Sequence, residues 1–99
     1  MLDEKRLMKI QEIGFAVGSE STYLKNVSNR IYLSNLIKYK SFMKFKTILT
    51  QIAIETNIML PYELFTKDED VLVDAAMIFL IGVQNAIDKE DNINTNYDM

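Results

Sequence analysis

Hydrophobic residues recur along this chain at the three- and four-residue spacing that is typical of amphipathic helices. The first stripe predicts a helix over residues 2–13, and we expect Gly14 and Gly18 to mark its end. Ser19 or Ser21 is then placed to cap the N-terminus of a second helix. The pattern therefore predicts two consecutive helices with a glycine-containing junction between them.

The second helix is predicted to run to about Tyr39. Leu24, Val27 and Ile31 share one of its faces, but the apolar residues that follow rotate around the helix axis. This helix is therefore expected either to be buried on more than one side or to break near Asn35.

A third helix is predicted over residues 42–56, with Ser41 as its N-cap. Its apolar residues keep the spacing of one core-facing stripe: Phe42, Phe45, Leu49, Ile52 and Ala53. Pro61 suits the first position of a short helix over Pro61–Phe65, because proline lacks the N–H that this position leaves unpaired.

The last helix has the clearest predicted start, since Thr66 and Glu69 have the spacing of a capping box. One long apolar stripe follows: Leu72, Ala75, Ala76, Phe79, Val83, Ala86 and Ile87. Other apolar residues occupy the remaining sides: Met77, Ile78, Leu80 and Ile81. A helix that is apolar nearly all round is expected to be central and buried, and Gly82 is expected to permit close packing with a neighbour.

These elements predict an all-α fold, a compact bundle of four to five helices in a single domain over residues 1–88. Three glycines and one proline are too few for the many turns of an all-β domain. Residues 89–99 are rich in asparagine and acidic residues, so we expect this tail to be polar and disordered.

The amino-acid composition limits the possible chemistry. The chain has no cysteine and no histidine, so we expect no disulfide, no zinc site and no cofactor, and we predict that it is not an enzyme. The acidic residues Asp68–Asp70 could hold a metal ion, but a charge-stabilised helix start explains them better.

The N-terminus is polar, unlike a signal peptide, and the longest apolar run, Ala75–Val83, is too short to cross a bilayer. We therefore expect a cytoplasmic protein with neither a membrane partner nor a small-molecule substrate.

Charge is distributed unevenly along the chain. Residues 21–54 contain six basic residues and no acidic residue, whereas residues 55–99 contain ten acidic and two basic residues. The six are candidate nucleic-acid-binding residues: Lys25, Arg30, Lys38, Lys40, Lys44 and Lys46. A cationic helical surface attracts phosphates through Coulomb forces and counterion release. The alternative is that these residues pair with the acidic half of the chain inside the fold.

Aromatic residues are interleaved with the basic ones. Phe42 and Phe45 belong to the apolar stripe and are expected in the core, whereas Tyr32 and Tyr39 are candidates for contact with a ligand. Four methionines are interpreted as core residues: Met8, Met43, Met59 and Met77.

The order of these segments resembles a known family. Arg30–Ile37 precedes a lysine-rich turn, Phe42–Phe45 and Ile48-Leu49 follow, and the pattern ends on the Phe-Leu-Ile-Gly sequence of Ala75–Val83. This order is similar to the C-terminal helical part of the large subunit of type I-B CRISPR surveillance complexes (Cascade). In such systems that part can also be made separately, as the small subunit of the complex.

The resemblance implies a helical bundle whose partners are other surveillance-complex subunits, copies of itself, the crRNA-guided complex and the DNA backbone. The small subunits of that family help to hold the displaced DNA strand through basic residues, and the four central lysines lie in the corresponding region. The acidic C-terminal half departs from a generally basic surface, which indicates that contact with nucleic acid depends on the assembly.

Two other functions fit the sequence. A protein–protein interaction module, such as a phage-encoded inhibitor or an immunity protein, agrees with the small size and acidity. A helix-turn-helix DNA-binding protein is less favoured, because its turn should contain a tight glycine-type junction and residues 38–41 have no glycine.

Overall fold

A computed structural model of the chain describes the backbone of residues 2–97 and the side chains of residues 2–92. The elements, in chain order, are α1 (Glu4–Glu20), α2 (Thr22–Lys25), α3 (Val27–Lys38), α4 (Phe42–Thr56), a 3-10 helix (Tyr62–Phe65) and α5 (Glu69–Tyr97). No strand occurs within residues 2–97, so the predicted all-α class is confirmed. The Cα radius of gyration, 13.5 Å, is that of a compact domain of this length, as the predicted bundle requires.

Helices α1 and α5 pack against each other through glycines. Gly14 and Gly18 lie buried inside α1, so the prediction that they end the first helix is wrong. A Cβ atom on Gly14 would lie 2.2 Å from the backbone oxygen of Phe79, and one on Gly82 would lie 2.2 Å from that of Gln11. The glycines therefore allow the two backbones to touch, which confirms the close packing predicted for Gly82.

The predicted second helix is divided into α2 and α3 at Asn26, instead of breaking later. Ser21 caps α2, as one of the two predicted candidates, because its hydroxyl accepts a hydrogen bond from the Leu24 N–H at 3.1 Å. The Asn26 side chain accepts a hydrogen bond from the N–H of Ser28 at 2.8 Å. This bond replaces a helical hydrogen bond and turns the chain. Val27 and Ile31 are consequently exposed and do not share a core face with Leu24.

Helix α4 has its predicted bounds, residues 42–56. Its stripe is confirmed, with three residues buried and two partly buried: Phe45, Leu49, Ile52, Phe42 and Ala53. Ser41 occupies the N-cap position but makes no side-chain capping hydrogen bond. Pro61 stands one position before the 3-10 helix and does not open it.

Helix α5 begins at Glu69. The carboxylate of Asp68 accepts hydrogen bonds from the N–H groups of Asp70 and Val71 at 3.1 and 3.3 Å. Asp68 is therefore the residue that caps this helix, and the capping box predicted from Thr66 is wrong. A carboxylate suits this position because it is attracted to the positive end of the helix dipole.

The same helix ends later than expected, at Tyr97. The helix thus continues through residues 89–97 of the tail that the sequence predicts to be disordered, and the last two residues of the chain lie outside the described residues. Lys25 Nζ lies 3.4 Å from Glu90 Oε1, and this ion pair joins the extension of α5 to the end of α2.

The apolar stripe of α5 is buried as predicted: Leu72, Ala75, Ala76, Phe79, Val83, Ala86 and Ile87. Met77 and Ile81 on another side are exposed, so the helix is buried along one stripe and not all round. By length and composition alone, Glu69–Asn92 could cross a membrane, with a mean hydropathy of 1.6. In the bundle, 44% of that apolar window is buried, along the stripe that packs against the other helices.

The four methionines interpreted as core residues are exposed instead: Met8, Met43, Met59 and Met77. The exposed fraction is 84% for Met43 and 90% for Met59. Met43 lies beside the apolar stripe of α4, and Met59 lies in the loop that follows this helix. These positions leave the side chains outside the core, which other residues already fill.

A partly buried ion pair joins α1 to the 3-10 helix. The Arg6 guanidinium donates to both carboxylate oxygens of Glu63, from Nε at 2.5 Å and from Nη2 at 2.8 Å. The hydrogen bonds from Arg6 hold the pKa of the Glu63 carboxyl below its ordinary value, although burial acts in the opposite direction. The guanidinium carbon also lies 5.0 Å from the ring centroid of Tyr62.

Candidate nucleic-acid interface

The six candidate nucleic-acid-binding residues fall into two groups. Lys25, Arg30 and Lys46 have partners within the chain: besides the pair formed by Lys25, Lys46 Nζ donates to the carbonyl oxygen of Thr66 at 3.0 Å. Arg30 donates to two carbonyl oxygens at the end of α2 and to the side chain of Gln84. Intramolecular contacts therefore hold all three side chains, but among the described residues only Lys25 shows the pairing with the acidic half of the chain that the alternative predicts.

The other three residues lie on either side of the turn between α3 and α4. We call the surface formed by Lys38, Lys40 and Lys44 the α3–α4 corner. All three are exposed, and the ion pairs between described side chains involve none of them. Since residues 21–54 contain no acidic residue, neighbours in the sequence do not neutralise the corner. Its three positive charges are available to a ligand.

The turn between α3 and α4 is tight. The N–H of Ser41 donates to the carbonyl oxygen of Leu36 at 2.7 Å, and that of Lys40 donates to Ile37 at 3.1 Å. These two bonds form a Schellman motif, in which glycine is usual at the position of Lys40. The turn is therefore tight although residues 38–41 contain no glycine, because Lys40 adopts the left-handed conformation itself, with φ at 58°.

A groove of about 570 Å³ opens beside the corner. It is lined by aromatic, aliphatic, hydroxyl and cationic side chains: Tyr32, Lys40, Ser41, Phe42, Met43, Lys44, Thr47 and Ile48. Phe45 is fully buried, as predicted, whereas Phe42 is half-buried and contributes both to the core and to the groove. Tyr32 is exposed at the groove, so its ring is accessible to a ligand.

The neighbouring tyrosines differ from Tyr32. Tyr39 is exposed and its ring centroid lies 5.5 Å from Lys38 Nζ, within the range of a cation–π contact. Burial, and to a lesser extent the nearby Tyr32, raises the pKa of Tyr23, which therefore stays neutral near pH 7. The phenol of Tyr23 thus adds no negative charge beside the groove.

The first acidic residue after the basic stretch is held at the start of α2. Glu55 accepts a hydrogen bond from Ser21 Oγ at 2.6 Å, and further bonds from the N–H groups of Thr22 and Tyr23 at 3.0 and 3.2 Å. A carboxylate at this position satisfies N–H groups that the first turn of a helix leaves unpaired. Glu55 therefore contributes to the α2–α4 contact.

The arrangement suits non-covalent contact with a polyanion. The lysines supply charged N–H donors for phosphate, and the groove supplies an aromatic ring. Among the side chains of residues 2–92, no group of three or more His, Cys, Asp or Glu could hold a metal ion. The lysines can be identified from the sequence, but the groove cannot be while Met43 is interpreted as a core residue. The available signal is that Met43 follows Phe42 directly and so lies outside the apolar stripe of α4.

No protein-family model matches the chain, and no curated protein or solved structure matches it.

Proposed function

We propose that the chain is a non-catalytic small subunit of an RNA-guided CRISPR surveillance complex, which contacts the nucleic-acid backbone of the displaced DNA strand through the α3–α4 corner. The observation that carries this proposal is the exposure of Lys38, Lys40 and Lys44 without an acidic partner among the described side chains. Such side chains bind phosphates without reading the base sequence. The sequence resemblance supports the surveillance complex as the setting.

The overall charge supports binding as part of an assembly. The chain has a net charge of −3, and ten of its fourteen acidic residues follow residue 54. A polyanion is attracted to the corner and repelled by the acidic half, so the affinity depends on which surface is presented to it. Neighbouring subunits that cover the acidic half would strengthen binding at the corner.

Replacing Lys38, Lys40 and Lys44 together by Gln is expected to weaken the binding of single-stranded DNA and to reduce its dependence on salt. Each phosphate contact contributes about 0.7 to the slope of log K against log salt concentration for a single strand. The loss of three contacts should therefore reduce that slope by about 2. Fluorescence anisotropy with a labelled oligonucleotide over a salt series measures both quantities.

A matched variant in which Lys5, Lys9 and Lys67 are replaced by Gln removes the same charge from exposed positions outside the corner. It is expected to keep most of the affinity and the salt slope of the unmodified chain. Equal losses in the two triple variants would show that binding follows net charge, and the corner would then not be the interface.

Lys40→Gly is expected to stabilise the fold while weakening DNA binding. A left-handed backbone strains a lysine but not a glycine, and the gain, reduced by the greater freedom of unfolded glycine, is about 0.5–1 kcal/mol. Asn57→Gly is the control, since Asn57 ends α4 with φ at 56° and asparagine tolerates this conformation better. Urea denaturation should show that Asn57→Gly is slightly more stable than the unmodified chain, and anisotropy should show that it binds DNA normally. If Lys40→Gly were less stable than the unmodified chain, the strain at Lys40 would be contradicted.

A protein–protein interaction module is the second candidate, favoured by exposed apolar side chains that follow one another along the chain. Ile54 in the last turn of α4, Met59 in the following loop and Tyr62 at the start of the 3-10 helix are all largely exposed. Exposed apolar residues that are close together often mark a protein-binding surface. Recovery of one protein partner without nucleic acid, lost on replacing Met59 by Asp but retained in the corner variant, would favour this function.

A further inference from the structure

We propose that the groove beside the α3–α4 corner binds an unpaired base of single-stranded nucleic acid, while Lys40 and Lys44 bind the adjoining phosphates. This inference rests on the proposed function and adds the form of the ligand, a single strand with at least one base turned into the protein. It is carried by the chemistry of the groove, which combines apolar and cationic side chains within about 570 Å³.

The apolar part of the groove suits the face of a base. Tyr32 offers an exposed ring, and Met43 exposes 84% of its surface in the same groove. Aromatic rings bind bases of any sequence by stacking, and a methionine sulfur makes favourable contacts with aromatic rings. Large exposed apolar residues are costly in water, so an occupied groove would also cover surface that the bundle leaves open.

The cationic part of the groove identifies a polyanion as the occupant. Lys40 and Lys44 both line the groove, and Lys38 lies on the other side of the same turn. No acidic residue occurs in residues 21–54, which contribute every residue lining the groove. An acid-free groove with two lysines and an accessible ring is complementary to a nucleotide, which has a negative phosphate and an aromatic base.

The conformation of Lys40 supports this assignment. A glycine would form the same Schellman turn without strain, yet the chain places a lysine there with φ at 58°. The unfavourable backbone places a positive charge directly between α3 and α4, at the edge of the groove. Strain of this kind is common where a residue contacts a ligand.

A duplex would use the same surface differently. In a helix-turn-helix, residues near the start of the second helix reach base edges in the major groove, which here would be those at the start of α4. Bases of a duplex remain stacked on one another and cannot enter a groove beside Tyr32. Binding of a base in the groove therefore predicts a preference for single-stranded DNA, whereas major-groove contact predicts a preference for the duplex.

The test compares three ligands of equal length on the full chain: a thymidine oligonucleotide, an abasic strand with the same phosphates, and a duplex. We expect the thymidine strand to bind about 5- to 150-fold more tightly than the abasic strand for one stacked base. Tyr32→Leu and, separately, Met43→Ala should reduce this ratio toward one, without changing the affinity for the abasic strand. Met59→Ala, at a side chain that is 90% exposed outside the groove, is the matched control and should leave the ratio unchanged.

The outcomes separate this inference from the proposed function. Equal affinity for the thymidine and abasic strands would overturn the base site but would retain phosphate contact at the corner. Tighter binding of the duplex than of the thymidine strand would overturn it in favour of major-groove contact. If the unmodified chain binds none of the three ligands even at low salt, where phosphate contacts are strongest, the corner is not a phosphate-binding surface and the proposed function itself fails.

Discussion

Replacing Gly82 by Ala is expected to destabilise the folded chain by about 3 kcal/mol or more, because the new methyl group has no space. Its Cβ would lie 2.2 Å from the carbonyl oxygen of Gln11 and 2.9 Å from the backbone nitrogen of Phe15. Both are backbone atoms of α1, so a side-chain rotation cannot relieve the clash. The helices must separate, and the contacts along their whole interface weaken.

The sign of this effect distinguishes packing from helix propensity. Propensity alone predicts that Gly→Ala inside a helix stabilises by about 1 kcal/mol. Ala16→Gly at an exposed position of α1 is the propensity control, expected to destabilise by about that amount. Gly18→Ala should cost less than Gly82→Ala, because its Cβ would lie 2.8 Å from the nearest atom, the carbonyl oxygen of Val83.

Urea denaturation measures the free energy of unfolding of each variant. For a domain of this size, a loss of about 3 kcal/mol lowers the melting temperature by roughly 12 °C or more. If Gly82→Ala were as stable as the unmodified chain, the close approach of α1 and α5 would be wrong.

These glycines show that the sequence predicts apolar faces within one helix but not contacts between two helices. The stripes of α4 and α5 could be predicted because each depends on spacing within one helix. Gly14 and Gly82 could not be related to each other, because the atom that excludes a side chain at each position belongs to the other helix. A glycine is both a helix terminator and a close-packing residue, and only its distant neighbour decides which role applies.

The candidate site was likewise only partly predictable from the sequence. The block of basic residues is visible in the sequence, but the partner of each lysine is not. Lys46 and Lys44 are two positions apart on α4, yet Lys46 donates to the carbonyl oxygen of Thr66 and Lys44 lines the groove. The ion pair between Lys25 and Glu90 could be predicted only if α5 were known to continue as far as Glu90. Tertiary contacts thus reduce six candidates to three.

Arg6→Met is expected to cost about 3–5 kcal/mol at neutral pH, because it leaves a charged carboxylate buried without its partner. Glu63 is 1% exposed, whereas the Arg6 side chain is 32% exposed. Removing the carboxylate by Glu63→Leu should therefore cost less than removing the guanidinium, since Arg6 can turn toward water. The double variant should recover much of the loss, because an apolar pair needs no compensating charge.

The pH dependence of stability provides the sharper measurement. In the unmodified chain the pKa of Glu63 is lowered, so its contribution to stability is present above the ordinary carboxyl pKa and is lost as the pH falls through the folded-state pKa. In Arg6→Met, the hydrogen bonds and charge of Arg6 no longer lower the pKa of the Glu63 carboxyl, and burial, which raises it, is opposed only by the smaller effects of hydrogen bonds within the 3-10 helix. Protonation at low pH therefore costs this variant less stability than it costs the unmodified chain. The difference in unfolding free energy between the two chains should therefore shrink as the pH falls below about 4. A difference that stays constant from pH 7 to pH 3 would show that Arg6 stabilises the fold by packing against Tyr62 and not by its charge on Glu63.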